Sequence, residues 1–141
     1  MISATEPGDE MPQAVVTRIA RRRILVIEDE ANAREGLCLL LADEGFDVRE
    51  AADGEEGLRQ IVEFNPEAVL CDLELPKLGG LRLMHSSRQL GASAGFIMMT
   101  GSGRTGVEEA LRTGADTYLL KPLDLGAVLL AVELVLGRQT H

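Results

Sequence analysis

Ile24-Leu25-Val26-Ile27-Glu28-Asp29 is an aliphatic run that stops on two adjacent carboxylates. The same shape recurs at Ala68-Val69-Leu70-Cys71-Asp72, at Phe96-Ile97-Met98-Met99-Thr100 and at Tyr118-Leu119-Leu120-Lys121. Short apolar runs of this kind fit strands buried on both faces, as in a parallel sheet. The carboxyl ends of parallel strands share one edge, so Asp29, Asp72, Thr100 and Lys121 are expected to converge although they lie far apart in the chain.

Longer segments with helical spacing separate these runs. The pattern predicts five strand-then-helix repeats, with strands at Ile24–Ile27, Asp47–Ala51, Ala68–Cys71, Phe96–Met99 and Thr117–Leu120. The helices are expected at Ala31–Glu44, Glu55–Phe64, Leu81–Leu90, Gly106–Thr113 and Leu125–Leu136. Asp53 precedes Glu56 by three residues, a capping box, and Asn65-Pro66 stops the helix it opens. Gly45 and Gly114 follow the first and fourth helices, where a left-handed cap favours glycine. Right-handed crossovers would place helices on both faces, giving a doubly wound α/β domain with its ligand crevice beyond the carboxyl ends of the strands.

Composition sets the bounds. A chain of 141 residues, 45% hydrophobic and 26% charged, suits one globular domain with its own core. With 3% aromatic residues and no Trp, that core must be aliphatic. The net charge is −9, and residues 1–23 carry +1, so the remainder carries −10. Such a body argues against direct nucleic-acid binding, which needs a basic patch, and for a bound cation. Cys38 and Cys71 have no metal spacing and read as small buried residues, and Arg21-Arg22-Arg23 reads as a solvated lead-in to the first strand. His85, inside a helix, and the terminal His141 read as solvated side chains. Residues 1–20 read as a flexible tail, with a weak strand or helix at Val15–Ile19, followed by one domain over 21–138 and a short end at 139–141. Neither a signal peptide nor a membrane span is expected, and the chain reads as cytoplasmic with no membrane insertion.

The crevice chemistry follows from the residue types. Glu28, Asp29 and Asp72 would repel one another unless a cation joined them, and an all-oxygen set with open water positions suits Mg²⁺. A carboxylate beside such a metal can attack a phosphoryl group to form an acyl phosphate. Lys121, the Thr100 hydroxyl and backbone N–H groups around Gly101 and Ser102 would neutralise its oxygens.

Glu28-Asp29, Asp72-Leu73-Glu74-Leu75-Pro76 with Gly80 eight residues after Asp72, Met98-Met99-Thr100-Gly101, and Lys121-Pro122 resemble the receiver domain of two-component response regulators. Gly114-Ala115-Asp116-Thr117-Tyr118 is similarly typical, and the resemblance runs from Ile24 to Leu136. Leu75, Gly101 and Leu123 depart from the commonest residues of the family without removing a chemical group.

The resemblance implies a flavodoxin-like (βα)5 fold with a five-stranded parallel sheet in the order 2-1-3-4-5. It makes Asp72 the phosphoacceptor for a histidine kinase or phosphotransfer protein. Asp29 and Asp72 would ligate Mg²⁺, with the Glu74 backbone carbonyl as a third ligand and Glu28 acting through water. Lys121 would pair with the phosphoryl group, while Thr100 and Tyr118 would act as the switch. Glu74 and Ser102 would tune the lifetime of the phosphorylated state.

The last helix, from Ala127 to Leu136, is apolar on nearly every face and needs a cover beyond the sheet. A second copy through the fourth helix, fifth strand and fifth helix, a docked partner, or packing against the N-terminal segment would each provide one. With only Gly137–His141 beyond it, the chain reads as a stand-alone receiver or a fragment of a larger regulator. The alternative is a Mg²⁺-dependent aspartate-nucleophile phosphatase of the haloacid dehalogenase type. That family needs a second Asp two residues after the nucleophile, where this chain has Glu74. A flavodoxin-like cofactor carrier fits less well, because Glu28-Asp29-Glu30 would repel its phosphate.

Overall fold

The computed structural model describes residues 21–101, 103–112 and 114–139. The tail at 1–20, with Val15–Ile19, and His141 lie outside the described residues, as do Ser102 and Thr113. In chain order the elements are β1 (Arg23–Ile27), α1 (Ala31–Asp43), β2 (Asp47–Ala51), α2 (Gly54–Phe64) and β3 (Ala68–Asp72). There follow α3 (Gly80–Gln89), β4 (Gly95–Thr100), α4 (Gly103–Arg112), β5 (Thr117–Leu120) and α5 (Leu125–Gln139). All strand pairs are parallel, and the order is β2-β1-β3-β4-β5. This is the doubly wound, flavodoxin-like architecture expected.

Strand alternation divides the core into two layers. Leu25, Ile27, Val69, Cys71, Phe96 and Met98 face one side and pack with Ile61 of α2 and Leu83 and Met84 of α3. Ile24, Val26, Ala68, Leu70, Ile97 and Met99 face the other and pack with Leu37 and Leu41 of α1 and Val128, Val132 and Val135 of α5. Every residue of β3 and β4 is buried, as strands covered on both faces require. Each fully buried aliphatic side chain contributes about 1.5–3 kcal/mol, so these central strands dominate the core. Edge strand β2 is different: Arg49 and Glu50 are exposed, and Arg49 lies 4.6 Å from the centroid of the Phe64 ring.

The expected punctuation holds at α2. Asp53 Oδ1 accepts from the Glu56 N–H at 2.9 Å, Glu56 Oε1 accepts from the Ala52 N–H at 3.1 Å, and Asn65 closes the helix in the left-handed region at φ 52°. Gly45 and Gly114 have φ of 98° and 104°. Helix α4 begins at Gly103, three residues before the expected Gly106; Gly103 enters it at a left-handed φ of 65°, and such early glycines read as loop. Helix α5 runs on to Gln139, past the expected Leu136.

Two minor expectations change. Arg22 and Arg23 are not merely solvated: Arg22 Nε donates to Glu67 Oε2 at 2.6 Å, and Glu67 Oε1 accepts from the Arg23 N–H at 2.9 Å. Cys71 is buried, as expected, but Cys38 is only half-buried. His85 is exposed.

Candidate functional site

Register brings the polar strand ends together. Ile27 pairs with Cys71, Asp72 with Met99, and Thr100 with Leu120, so Glu28, Asp72, Thr100 and Lys121 occupy neighbouring levels of the sheet. Backbone bonds carry this alignment past the strand ends: Leu73 N–H donates to Met99 O at 2.8 Å and Lys121 N–H to Thr100 O at 2.9 Å.

Asp72 is 3% exposed, and both of its carboxylate oxygens are engaged. Oδ1 accepts from the Glu74 N–H at 3.0 Å, and Oδ2 accepts from Lys121 Nζ at 2.8 Å. Lys121 also donates to Glu28 Oε1 at 3.1 Å, and Glu28 Oε2 accepts from the Glu30 N–H at 3.1 Å. Burial works against the Lys121 ammonium, but its bonds to Asp72 and Glu28 outweigh that and hold it above the ordinary lysine range. Glu28, 1% exposed, is held above the ordinary glutamate range by burial, with the Asp72 charge adding to the effect. The bonds from Glu30 and Lys121 offset only part of this.

Carboxylate oxygens of Glu28, Asp29 and Asp72 lie within 4.8 Å of one another, and Asp29 faces solvent. The opposite ligands of an octahedral Mg²⁺ stand about 4.2 Å apart, so a small closing movement, or one water bridge, fits such an ion to this set. The donor atoms are all hard oxygens and the local charge is negative, so the residues suit a hard divalent cation. Thr100 is fully buried beside them, its Oγ1 lying 3.5 Å from Glu74 Oε2. Tyr118, on the edge strand β5, is 37% exposed, with its side chain away from the core.

The tight turn after Asp72 depends on glycine. A Cβ on Gly80 would stand 2.5 Å from Asp72 O, and one on Gly54 would collide with Leu78 O. Lys77, in the left-handed region at φ 67°, places Nζ 3.5 Å from Asp53 Oδ2. The loop that follows Asp72 is thus pinned against the start of α2.

The structure brings together Glu28, Asp29, Asp72, Glu74, Thr100 and Lys121, while Tyr118 stands apart on the outer edge. Sequence reasoning missed Glu30 and Arg34. Glu30 caps α1 by accepting from the Ala33 N–H at 2.7 Å, and Arg34 donates to the Glu28 carbonyl at 2.7 Å. Glutamate is not a favoured N-cap, and the partner of Arg34 is a backbone atom, so neither left a residue-type signal. A cleft of about 490 Å³ opens beside Glu28 and Lys121, walled by Ala33, Gly36 and Leu37 of α1 and by Pro122 and Leu123.

These features match known proteins. The family model described as the response regulator receiver domain matches residues 24–133. The transcriptional regulatory protein DltR of Streptococcus agalactiae is 36% identical over 113 residues, covering 79% of this chain and 50% of that protein. The DNA-binding response regulator MtrA of Mycobacterium tuberculosis is 39% identical over 105 residues, covering 72% of this chain and 45% of that protein. A crystal structure of a response regulator receiver domain protein from Clostridium thermocellum superposes with a TM-score of 0.79 at 29% identity, covering 84% of this chain and 97% of that one. The chain spans half or less of the length of these two curated relatives. The haloacid dehalogenase reading finds no support in these matches, and the acid two residues after Asp72 is Glu74.

Proposed function

The chain belongs to the response regulator receiver family, and from that premise we propose that it is a phosphorylation-dependent switch in a two-component phosphorelay. The observation that carries the reading is Asp72: a buried carboxylate with one oxygen on the Glu74 amide and the other on Lys121, beside two further acids. A solvated surface aspartate has none of this preorganisation.

An Asp72 oxygen attacks the phosphorus of a phosphohistidine on a histidine kinase or phosphotransfer protein. A P–O bond to the carboxylate forms and the P–N bond breaks; with the phosphohistidine ring protonated on its other nitrogen, the electron pair of that bond stays on the departing nitrogen and the ring leaves as neutral imidazole, giving an acyl phosphate. Mg²⁺, held by Asp29, Asp72 and the Glu74 carbonyl with Glu28 through water, would supply charge neutralisation at the phosphoryl oxygens. Lys121 moves its ammonium from the free carboxylate to the phosphoryl group, and the Thr100 hydroxyl turns to donate to it. Tyr118, exposed on β5, then turns inward and changes the face made by α4, β5 and α5.

Self-phosphorylation and autodephosphorylation are the only chemistry this role asks of the chain, so it is a signalling domain and not a turnover enzyme. Its receiver unit spans residues 21–138, it works in the cytoplasm, and its output runs through protein contacts, with no direct DNA contact from this domain. Among the described residues no helix is long and apolar enough to cross a membrane.

Incubation with acetyl phosphate and Mg²⁺ should add one phosphoryl group, and Asp72→Asn should abolish the addition. No labelling, or steady turnover of generic phosphomonoesters, contradicts the switch.

A further inference from the structure

We infer that Arg34 is a positioning residue for the acidic metal site, and that edge strand β2 is the wall on which it braces that site. The inference rests on the Mg²⁺ site of the proposed function. It does not follow from the acids themselves, since neither Arg34 nor β2 contributes to the carboxylate cluster.

Glu28 and Asp29 sit just past the end of β1. Two tethers hold Glu28 there, and both lead to β2: the last bond of the β1–β2 ladder and a side-chain brace. The Glu28 N–H donates to Ala51 O at 3.1 Å. The Glu28 carbonyl accepts from Arg34 at 2.7 Å, while Arg34 Nε donates to Glu50 Oε1 at 2.7 Å. Glu28 is therefore held on both sides of its Cα. The carbonyl belongs to the peptide that joins it to Asp29, so fixing it fixes the plane of the peptide from which Asp29 departs.

Arg34 suits this task by shape. Its planar fork offers separate N–H groups to two acceptors at a fixed angle, which a lysine cannot reproduce. Its side chain is only 18% exposed, and its bond to the Glu28 carbonyl is partly buried, while Glu50 reaches it from the solvent side. It is also placed early in α1, its N–H donating to Glu30 O at 2.9 Å, so the helix start and the acidic turn form one braced unit.

Charge and positioning make opposite predictions. A cation near a metal site repels the metal, so if Arg34 acted through charge alone its removal would tighten Mg²⁺ binding. Its charge is already matched by Glu50, which leaves geometry as the larger effect.

The test is Mg²⁺ binding by calorimetry on the full chain, with melting curves to show that each variant is folded at the assay temperature. Arg34→Ala should weaken Mg²⁺ binding about tenfold, the scale of one charge-assisted bond, and Glu50→Gln should weaken it by less. The double variant should be no weaker than Arg34→Ala alone, because both act through one brace. Unchanged or tighter binding in Arg34→Ala overturns the inference. Additive losses in the double variant overturn the role of β2. If the wild-type chain binds no Mg²⁺, the metal reading itself fails, which is a separate result from equal binding by wild type and variant.

Discussion

At the residue scale Lys121 holds the carboxylates that the proposed metal would use. Its ammonium stands 2.8 Å from Asp72 and 3.1 Å from Glu28, on carboxylates that a divalent cation would share. Lys121→Met should therefore tighten Mg²⁺ binding several-fold, the opposite sign to Arg34→Ala, while destabilising the metal-free chain by about 2 kcal/mol because two buried carboxylates lose their counter-charge. Calorimetry and melting with and without Mg²⁺ check both effects, and weaker Mg²⁺ binding in Lys121→Met contradicts the competition. Asp29, Asp72, Thr100 and Lys121 were legible in the sequence because a parallel sheet forces strand ends together. The Lys121–Glu28 bond and the Arg34–Glu50 brace were not. They depend on strand register and on backbone acceptors, which residue type does not encode.

At the element scale Glu67 fastens three elements. It follows the turn after α2, precedes β3, and takes bonds from Arg22 and Arg23 at the start of β1. Burial opposes its charged form, but the Arg23 N–H and the Arg22 guanidinium prevail and hold its carboxyl below the ordinary glutamate range. A depressed folded-state pKa gives stability that is present above the unfolded value and lost as pH falls through the folded one. Glu67→Gln should therefore cost about 1 kcal/mol at neutral pH, with the gap to wild type closing in acid below about pH 4. Urea titrations at both pH values read the difference, and a gap that does not change with pH contradicts the assignment. Helix α2 was legible from its capping box and its Asn65-Pro66 stop. The start of α4 was not, because Gly103, which opens the helix at a left-handed φ of 65°, and Gly106 both signal a turn locally.

At the scale of the whole molecule the sheet is covered on both faces, and large apolar side chains stay in water on several elements, Leu39 of α1 and Val62 of α2 as well as α4, β5 and α5. Helix α5 buries the single stripe Val128, Ala131, Val132, Val135 and Leu136. Leu130 and Leu134, one turn apart, stay 58% and 51% exposed, and Leu120 of β5 and Leu111 of α4 are each 49% exposed. The surplus apolar character read from the sequence of the last helix is therefore in part real surface, at Leu130 and Leu134. Beryllofluoride with Mg²⁺ should raise the dimer fraction in sedimentation, and Leu130→Glu should remove that increase. An unchanged mass contradicts dimerisation as the output and leaves a protein partner for this face.

The proposed switch depends on which carboxylate takes the phosphoryl group. After acetyl phosphate and Mg²⁺, borohydride reduces an aspartyl phosphate to homoserine, and peptide mass mapping reads its position. Homoserine at position 72 alone is the expected result. Homoserine at another acid, or none anywhere under labelling conditions, would contradict Asp72 as the phosphoacceptor.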